Sequence, residues 1–289
     1  MDNTLQTKIQ KLHPEDFPLL LKEITDPPEK LYLLGTLPPK DHKWLAVVGS
    51  RKYSNYGKEA AETLIAGLQG YPVVIVSGLA LGIDAIAHRA ALSAKLPTVA
   101  VPGSGLAPSV LYPSTNRNLA GDILKAGGAL LSEFEPDFQA TAWSFPQRNR
   151  VIAGLSDATL VVEAEQKSGA LITSKFATEY NRDVFTVPGS IFSSSSAGPH
   201  MLLKLGATPI TSSGDLLEAL GFKGSDKVER DYSDCTAEEK TVIGLLQSPL
   251  SRDDLIDVLG IPISRANALL SLMELRGFIK ETGGEIHLA

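Results

Sequence analysis

The sequence predicts an α/β chain: a doubly wound parallel sheet covered by helices on both sides, followed by a small helical domain with a two-stranded wing. Three observations carry this. Between residues 44 and 210, five short apolar runs rich in β-branched residues recur, as suits strands buried on both faces. Each run ends in a Gly/Ser/Pro turn and leads into a longer helical pattern, the alternation expected of a parallel sheet with right-handed crossovers. A polar stretch, KGSDKVERD at 223–231, then separates this pattern from an acidic tail and reads as a linker.

Residues 1–43 read as a short N-terminal lead. Pro27-Pro28 and Pro38-Pro39 break it twice, and a short helix is expected around 18–24. The strands follow as WLAVV (44–48), VVIV (73–76), TVAV (98–101), ATLVV (158–162) and VFTV (184–187). Helical patterns cover 58–69, 83–93, 173–181 and 200–205, so the core domain is placed at 44–222. The tail, 232–289, begins with a helix over 237–246. Ser251 reads as the N-cap of a second helix, 252–259, and Ser264 as the cap of a third, 265–276. Gly277 turns the chain into a strand at 278–281, and Gly283-Gly284 reverses it into 285–288. Three helices and a wing describe a winged-helix domain, and the spacing of its second and third helices fits a helix-turn-helix. There is no tandem repeat or low-complexity segment.

The 289 residues are 43% hydrophobic and 21% charged, which excludes a disordered chain and fits about two domains. No run approaches the roughly 18 apolar residues of a membrane span, and the polar start, MDNTLQTKIQ, has no apolar segment of the signal-peptide kind. A single cysteine, Cys235, excludes a disulfide framework and a cysteine-based metal site. Together these point to the cytoplasm. The net charge is −6, and the stretch from Asp231 to Ala289 holds ten Asp/Glu against five Lys/Arg. Such a chain does not bind nucleic acid by bulk charge, although a local basic site remains open.

The chemistry-bearing residues cluster at the C-terminal ends of the strands, the rim where open α/β sheets bind ligands. The turns there hold Gly49 and Ser50 after the first strand and Gly103 after the third. Glycine turns let backbone N–H groups approach an anion, though any doubly wound sheet needs tight turns at these places. Arg51 sharpens the case: a guanidinium in a Gly-Ser turn at the rim can grip a phosphate bidentately. A second cationic cluster is Phe145-Pro146-Gln147-Arg148-Asn149-Arg150, read as a helix start; a salt-bridged surface helix is the plainer reading of it. A third patch runs from Lys167 through Ser168 and Gly169, which open a helix, to Lys175 about two turns in. Asp84 and His88, four apart on one helix, read as a hydrogen-bonded pair rather than metal ligands, and Glu163 and Glu165 as carboxylates that hold Arg148 or Arg150. The chain has no G-x-x-x-x-G-K-[ST], no G-x-G-x-x-G and no G-x-S-x-G, so a P-loop ATPase, a dinucleotide cofactor and a serine-hydrolase elbow find no support.

Seven segments in this order resemble the DprA/Smf family of DNA-processing proteins: GSRKYSNYG, SGLALGIDAIAHRAAL, TVAVPGSGL with YPSTNRNL, GALLSEF, FPQRNRVIAGLSDATLVVEA, SGALITSKFATEYNRDVFTVPGSI and GPHMLLKLGATPI. The resemblance runs from about residue 17 to 210, and the tail is similar to the winged helix that many members carry. It implies an extended Rossmann-like core that binds single-stranded DNA, forms a homodimer, and loads RecA on incoming strands during natural transformation, without catalysis, cofactor or metal. By motif match, the DNA-contacting positions fall on Ser50 and Arg51, on Arg148, Asn149 and Arg150, on Phe145 as a stacking surface, and on Ser168 and Gly169, with Lys167 and Lys175 as weaker carry-overs. Turn amides of Gly49, Gly103 and Gly169 would complete the cradle. Two features depart from the family pattern. The lead is shorter than the helical domain with which many members begin, and the third tail helix, RANALLSLMELR, is poorer in Lys/Arg than a major-groove reader. The tail therefore reads as a site of protein contact or self-association.

Two other classes stay open. A phosphoribohydrolase-like enzyme would carry P-G-G-x-G-T-x-x-E, whereas Pro102-Gly103-Ser104-Gly105 continues without the Thr and Glu. A duplex-binding regulator led by the winged helix would lose all DNA binding on removal of 231–289, whereas a single-strand binder would not.

Overall fold

The computed structural model describes residues 8–223, 235–246, 250–282 and 284–288. The chain divides into two compact units, Met1–Val228 and Glu229–Ala289. The linker expected at 223–231 lies, apart from Lys223, outside the described residues.

The first unit is built on a nine-stranded sheet. Its strands are β1 (Gln10–Leu12), β2 (Leu31–Gly35), β3 (Lys43–Val48), β4 (Val73–Ser77), β5 (Thr98–Ala100), β6 (Ala129–Ser132), β7 (Ala158–Val161), β8 (Asp183–Thr186) and β9 (Thr208–Pro209). In space they run β1-β2-β6-β5-β4-β3-β7-β8-β9. From β6 to β9 every pairing is parallel, while β1 and β2 are antiparallel to their neighbours. The chain winds outward from β3 in one direction, through β4 and β5 to β6, then returns to β7 on the other side of β3. This reversal makes the β3/β7 edge a topological switch point, where a crevice opens beyond the strand ends.

Alternate residues of the central strands feed two cores. Trp44, Ala46, Val48, Val74 and Val76 pack with α1 (Leu19–Lys22), α5 (Ser144–Leu155), α6 (Gly169–Glu179) and α7 (Ala197–Lys204) on one face. Leu45, Val47, Val73 and Ile75 pack with α2 (Asn55–Ala66), α3 (Ile83–Ser93) and α8 (Ser213–Ala219) on the other. The continuous apolar runs are thus buried on both sides. Helix α4 (Arg117–Lys125) closes the second face over β5 and β6 through Leu119, Ala120 and Ile123.

Of the expected lead at 1–43, the described residues 8–43 are not separate from the sheet. LYLLG lies between the two proline pairs and forms β2, which pairs with β6 from Tyr32↔Ser132 to Gly35↔Ala129. Leu21 and Ile24 of the α1 region pack into the first core, so this segment belongs to the sheet domain. Among the described residues, no single helix is long and apolar enough to cross a membrane.

The second unit holds α9 (Ala237–Leu245), α10 (Arg252–Leu259) and α11 (Ile263–Leu275), with β10 (Leu250–Ser251), β11 (Ile279–Thr282) and β12 (Glu285–Leu288) forming a three-stranded sheet. Ser251 caps α10 by accepting from the Asp254 N–H at 3.1 Å. Ser264 caps nothing, because α11 starts earlier: Pro262 occupies the N-cap position, without a side-chain hydrogen bond.

Candidate nucleic-acid interface

A cavity of about 650 Å³ opens at the switch point. The β3 turn contributes Gly49, Ser50, Arg51 and Lys52; α5 contributes Phe145, Arg148 and Asn149; the start of α6 contributes Lys167, Ser168 and Gly169. The three patches that the sequence scatters over 120 residues therefore share one wall-to-wall site.

Each element holds its side chains for an identifiable reason. In the β3 turn, the Ser50 hydroxyl donates to the Lys52 carbonyl (2.7 Å) and accepts the Lys52 N–H (3.0 Å). The turn is fixed from below by Ile83 N–H donating to the Ser50 carbonyl at 3.2 Å, which leaves Arg51 and Lys52 exposed at the rim. Helix α6 is capped by Ser168, whose side chain accepts from Ala170 N. Its first N–H groups lack intrahelical acceptors and carry partial positive charge. Asn149 ties this end to α5 by donating to the Gly169 carbonyl at 3.1 Å.

Arg148 is buried at the floor. Its guanidinium donates to the Gly78 and Val101 carbonyls, and its Nε to Asn149 Oδ1 at 3.1 Å. Burial pushes its pKa down to about 10, with Asp84 opposing the shift and Arg51 adding to it, so it stays charged at neutral pH. Asp84, also buried, accepts from Gly78 N–H at 3.1 Å; burial pushes its carboxyl up, and the nearby Arg148 charge holds it back. Arg148 is thus a fixed charge beneath the cavity, with three of its donors already used on the protein.

Phe145 forms the aromatic wall. Arg51 lies over its ring at 5.0 Å, and Tyr112 packs against it at 5.5 Å between centroids. A Cβ on Gly103 would lie 2.6 Å from the Phe145 ring, and one on Gly78 would lie 2.2 Å from Arg148 Nη1. These two glycines make room for the aromatic and the guanidinium.

Among the described residues, Arg51, Lys52 and Lys167 form no ion pair. The cavity thus presents three rim cations, a buried guanidinium, one helix N-terminus and an aromatic face, against the carboxylates of Asp84 and Glu165.

Three expected site residues fall elsewhere. Arg150 points away from the cavity and is paired with Glu133 and Asp26; two residues after Arg148 on a helix, it sits on nearly the opposite face. Lys175 is exposed and pairs with Glu179 at 3.6 Å, one turn along α6. Gly103 lies behind Phe145, and its carbonyl accepts from Ser144 Oγ at 2.6 Å. Glu163 holds neither arginine: it accepts from Ser54 N–H at 2.9 Å, Ser54 Oγ at 2.5 Å and Ser195 Oγ at 2.9 Å. Nor do Asp84 and His88 pair, for His88 Nδ1 meets Thr98 Oγ1 at 2.7 Å. No cluster of metal-ligating residues occurs among the described residues. Sequence reasoning missed Lys52, one position past Arg51, which lines the cavity.

Comparison with known proteins places this architecture. Residues 8–221 match the family model described as DNA recombination-mediator protein A, and 229–285 that of the DprA winged helix domain. The chain is 44% identical over 208 residues to Protein Smf of Escherichia coli, covering 72% of this chain and 55% of that protein. It is 44% identical over 206 residues to the DNA processing protein DprA of Streptococcus pneumoniae, covering 71% and 72%. It therefore spans about half the length of the first relative and about seven-tenths of the second. The crystal structure of the S. pneumoniae protein superimposes with a TM-score of 0.68 at 41% identity, covering 75% of this chain and 76% of that one. DNA processing protein A from Helicobacter pylori, whose structure addressed its single-stranded DNA binding mode, gives 0.65 at 32% identity, covering 74% and 96%.

Fold and matches define a class: DNA-processing proteins in which a Rossmann-like sheet domain precedes a winged helix. The chain belongs to the DprA/Smf family.

Proposed function

We propose that the chain binds single-stranded DNA in the switch-point cavity and does no chemistry on it. One observation carries the reading: in a chain of net charge −6, the unpaired cations Arg51, Lys52 and Lys167 converge on one cavity around the Phe145 ring. Single-strand binders combine a cationic track with a stacking surface. Arg51 and Lys167 would hold phosphates, helped by the α6 N-terminus, while a base packs against Phe145. Such contacts reach backbone and π-face, so little sequence preference is expected. Duplex DNA cannot splay a base into the cavity.

Within this reading, the strand passes to RecA during DNA uptake, in the cytoplasm and from a homodimer. RecA loading rests on family membership. The cytoplasmic placement is supported by a lone cysteine in 289 residues. The winged helix is assigned to protein contact: Arg252, Arg265 and Arg276 are each paired with a glutamate, leaving little charge for a duplex.

The test is fluorescence anisotropy with labelled oligo-dT and with duplex of the same length. The wild type should prefer the single strand, and Arg51→Ala should weaken it by about 1–3 kcal/mol. The slope of log K on log salt should be about −0.7 per phosphate held. Equal affinity for duplex, or an Arg51→Ala protein that is folded and binds normally, refutes the assignment.

A further inference from the structure

The cavity continues past its aromatic wall. A notch of about 20 Å³ adjoins it at the Phe145 ring. Arg51, Ala80, Phe145 and Arg148 line both spaces, while Gly78, Leu81, Tyr112 and Pro113 line the notch alone. None of the notch residues is acidic. Two of them keep a large apolar surface in solvent: Tyr112 is 45% and Leu81 47% exposed. With Tyr112 packed on Phe145 at 5.5 Å between centroids, a ledge runs outward from the cavity wall.

The ledge is firmly held. Tyr112 N–H donates to the buried Ser104 Oγ at 3.1 Å. The buried Asn116 side chain donates to the Leu79 and Ala80 carbonyls at 2.8 and 3.2 Å. That ties the Tyr112 loop to the turn after β4, which carries Leu81. Beside the ledge stands Arg117, the first residue of α4 and exposed. Its Nε donates to the Leu111 carbonyl at 3.2 Å and its Nη2 to the Ser109 carbonyl at 2.8 Å. The Leu111 carbonyl belongs to the peptide bond leading into Tyr112, so the guanidinium is fixed against the backbone of that ring. Two of its five N–H donors are used. Among the described residues Arg117 forms no ion pair. A guanidinium locked in place, with donors to spare and no acid beside it, is preorganised for a phosphate.

We infer that this ledge is a second nucleotide subsite: a single strand leaving the cavity past Phe145 lays a base across Tyr112 and Leu81 and gives a phosphate to Arg117. The inference rests on the single-strand reading of the cavity and extends it. The notch admits no whole base, so the base lies over it. Arg51, 5.0 Å above the Phe145 ring, and Arg117 then flank two neighbouring rings, the alternation of cation and stacking face found in sequence-tolerant tracks.

The full chain is titrated by calorimetry with hexathymidylate and with trithymidylate, which the cavity alone can take up, beside Arg51→Ala. Tyr112→Leu, which keeps an apolar contact with Phe145, and Arg117→Gln should each bind the hexamer about tenfold more weakly at unchanged melting temperature. Both should bind the trimer as wild type does. Tyr112→Phe should bind both strands normally, because stacking needs the ring and not the hydroxyl. Arg117→Gln should also flatten the salt slope for the hexamer by about 0.7, one phosphate. In a scan of single abasic residues through the hexamer, at least one position should cost the wild type affinity and cost Tyr112→Leu nothing. Wild-type hexamer affinity in either ledge variant, while Arg51→Ala weakens it, overturns the ledge and leaves the cavity reading standing. An equal loss for trimer and hexamer also overturns it, since the ledge would then only support Phe145. Normal hexamer binding by a folded Arg51→Ala refutes the cavity, and the ledge with it.

Discussion

At the scale of single residues, Arg51 and Arg148 look alike in sequence and differ in work. Arg51 is exposed at the rim with no acid paired to it, so its loss should cost affinity and little stability. Arg148 spends its donors on the Gly78 and Val101 carbonyls and on Asn149. Arg148→Ala would leave two buried carbonyls unsatisfied and Asp84 without its nearest positive charge, an expected loss of about 3 kcal/mol or more. Arg148→Lys keeps the charge but loses the Nε–H donated to Asn149 and should recover only part of it. Urea denaturation of both variants beside Arg51→Ala checks this; an Arg148→Ala protein as stable as wild type contradicts it. This distinction was hidden in the sequence. RNR reads as two equivalent arginines, and only the helix register sends Arg148 to the cavity and Arg150 to Glu133. Gly103 was misread for a similar reason: a motif glycine signals a close approach without saying whether an anion or a neighbouring ring makes it.

At the scale of elements, the pairing of α3 with β5 sets a pH limit on stability. His88 on α3 is fully buried, and its Nδ1 meets Thr98 Oγ1, which itself donates to the Ile75 carbonyl at 2.8 Å. The hydroxyl proton is thereby committed, so His88 Nδ1 is the donor. Burial holds the imidazole neutral, its pKa lowered from 6.5 to about 3. Below pH 6.5 the unfolded chain takes up a proton that the native state refuses until about pH 3. Stability is therefore intact above that window and falls as pH drops through it, by up to about 1.4 kcal/mol per pH unit. Urea unfolding of wild type and of a folded His88→Gln at pH 7 and pH 5 should show a smaller loss in the variant; equal losses would exclude His88 as the cause. The strands around this pair were legible because each is a continuous apolar run closed by a turn. Strand β2 was not, although LYLLG is as apolar, because whether it joins a sheet depends on β6, almost 100 residues away, and no local period carries that information. Strands β9 and β10 have two residues each, too short for any periodicity.

For the molecule as a whole, the proposed homodimer has a candidate face around α7. Around α7, Ile191, Phe192 and Leu205 are 79%, 93% and 76% exposed, and Met201 is 41% exposed. Scattered apolar residues are ordinary on a surface, but four large ones within one 15-residue segment are the kind of concentration that marks an interface. If this face joins two copies, Phe192→Glu with Leu205→Arg should yield a monomer by light scattering, with the fold unchanged by circular dichroism, since neither side chain is buried. The functional consequence follows from effective concentration. A strand long enough to reach both cavities gains avidity that a short strand lacks. The wild type should then bind a long oligo-dT far more tightly than a short one. The double variant should keep the short-strand affinity, set by Arg51 and Lys167, and lose most of the length dependence. A variant that stays dimeric rules out this face, and a monomer that retains the full length dependence rules out the bridging strand.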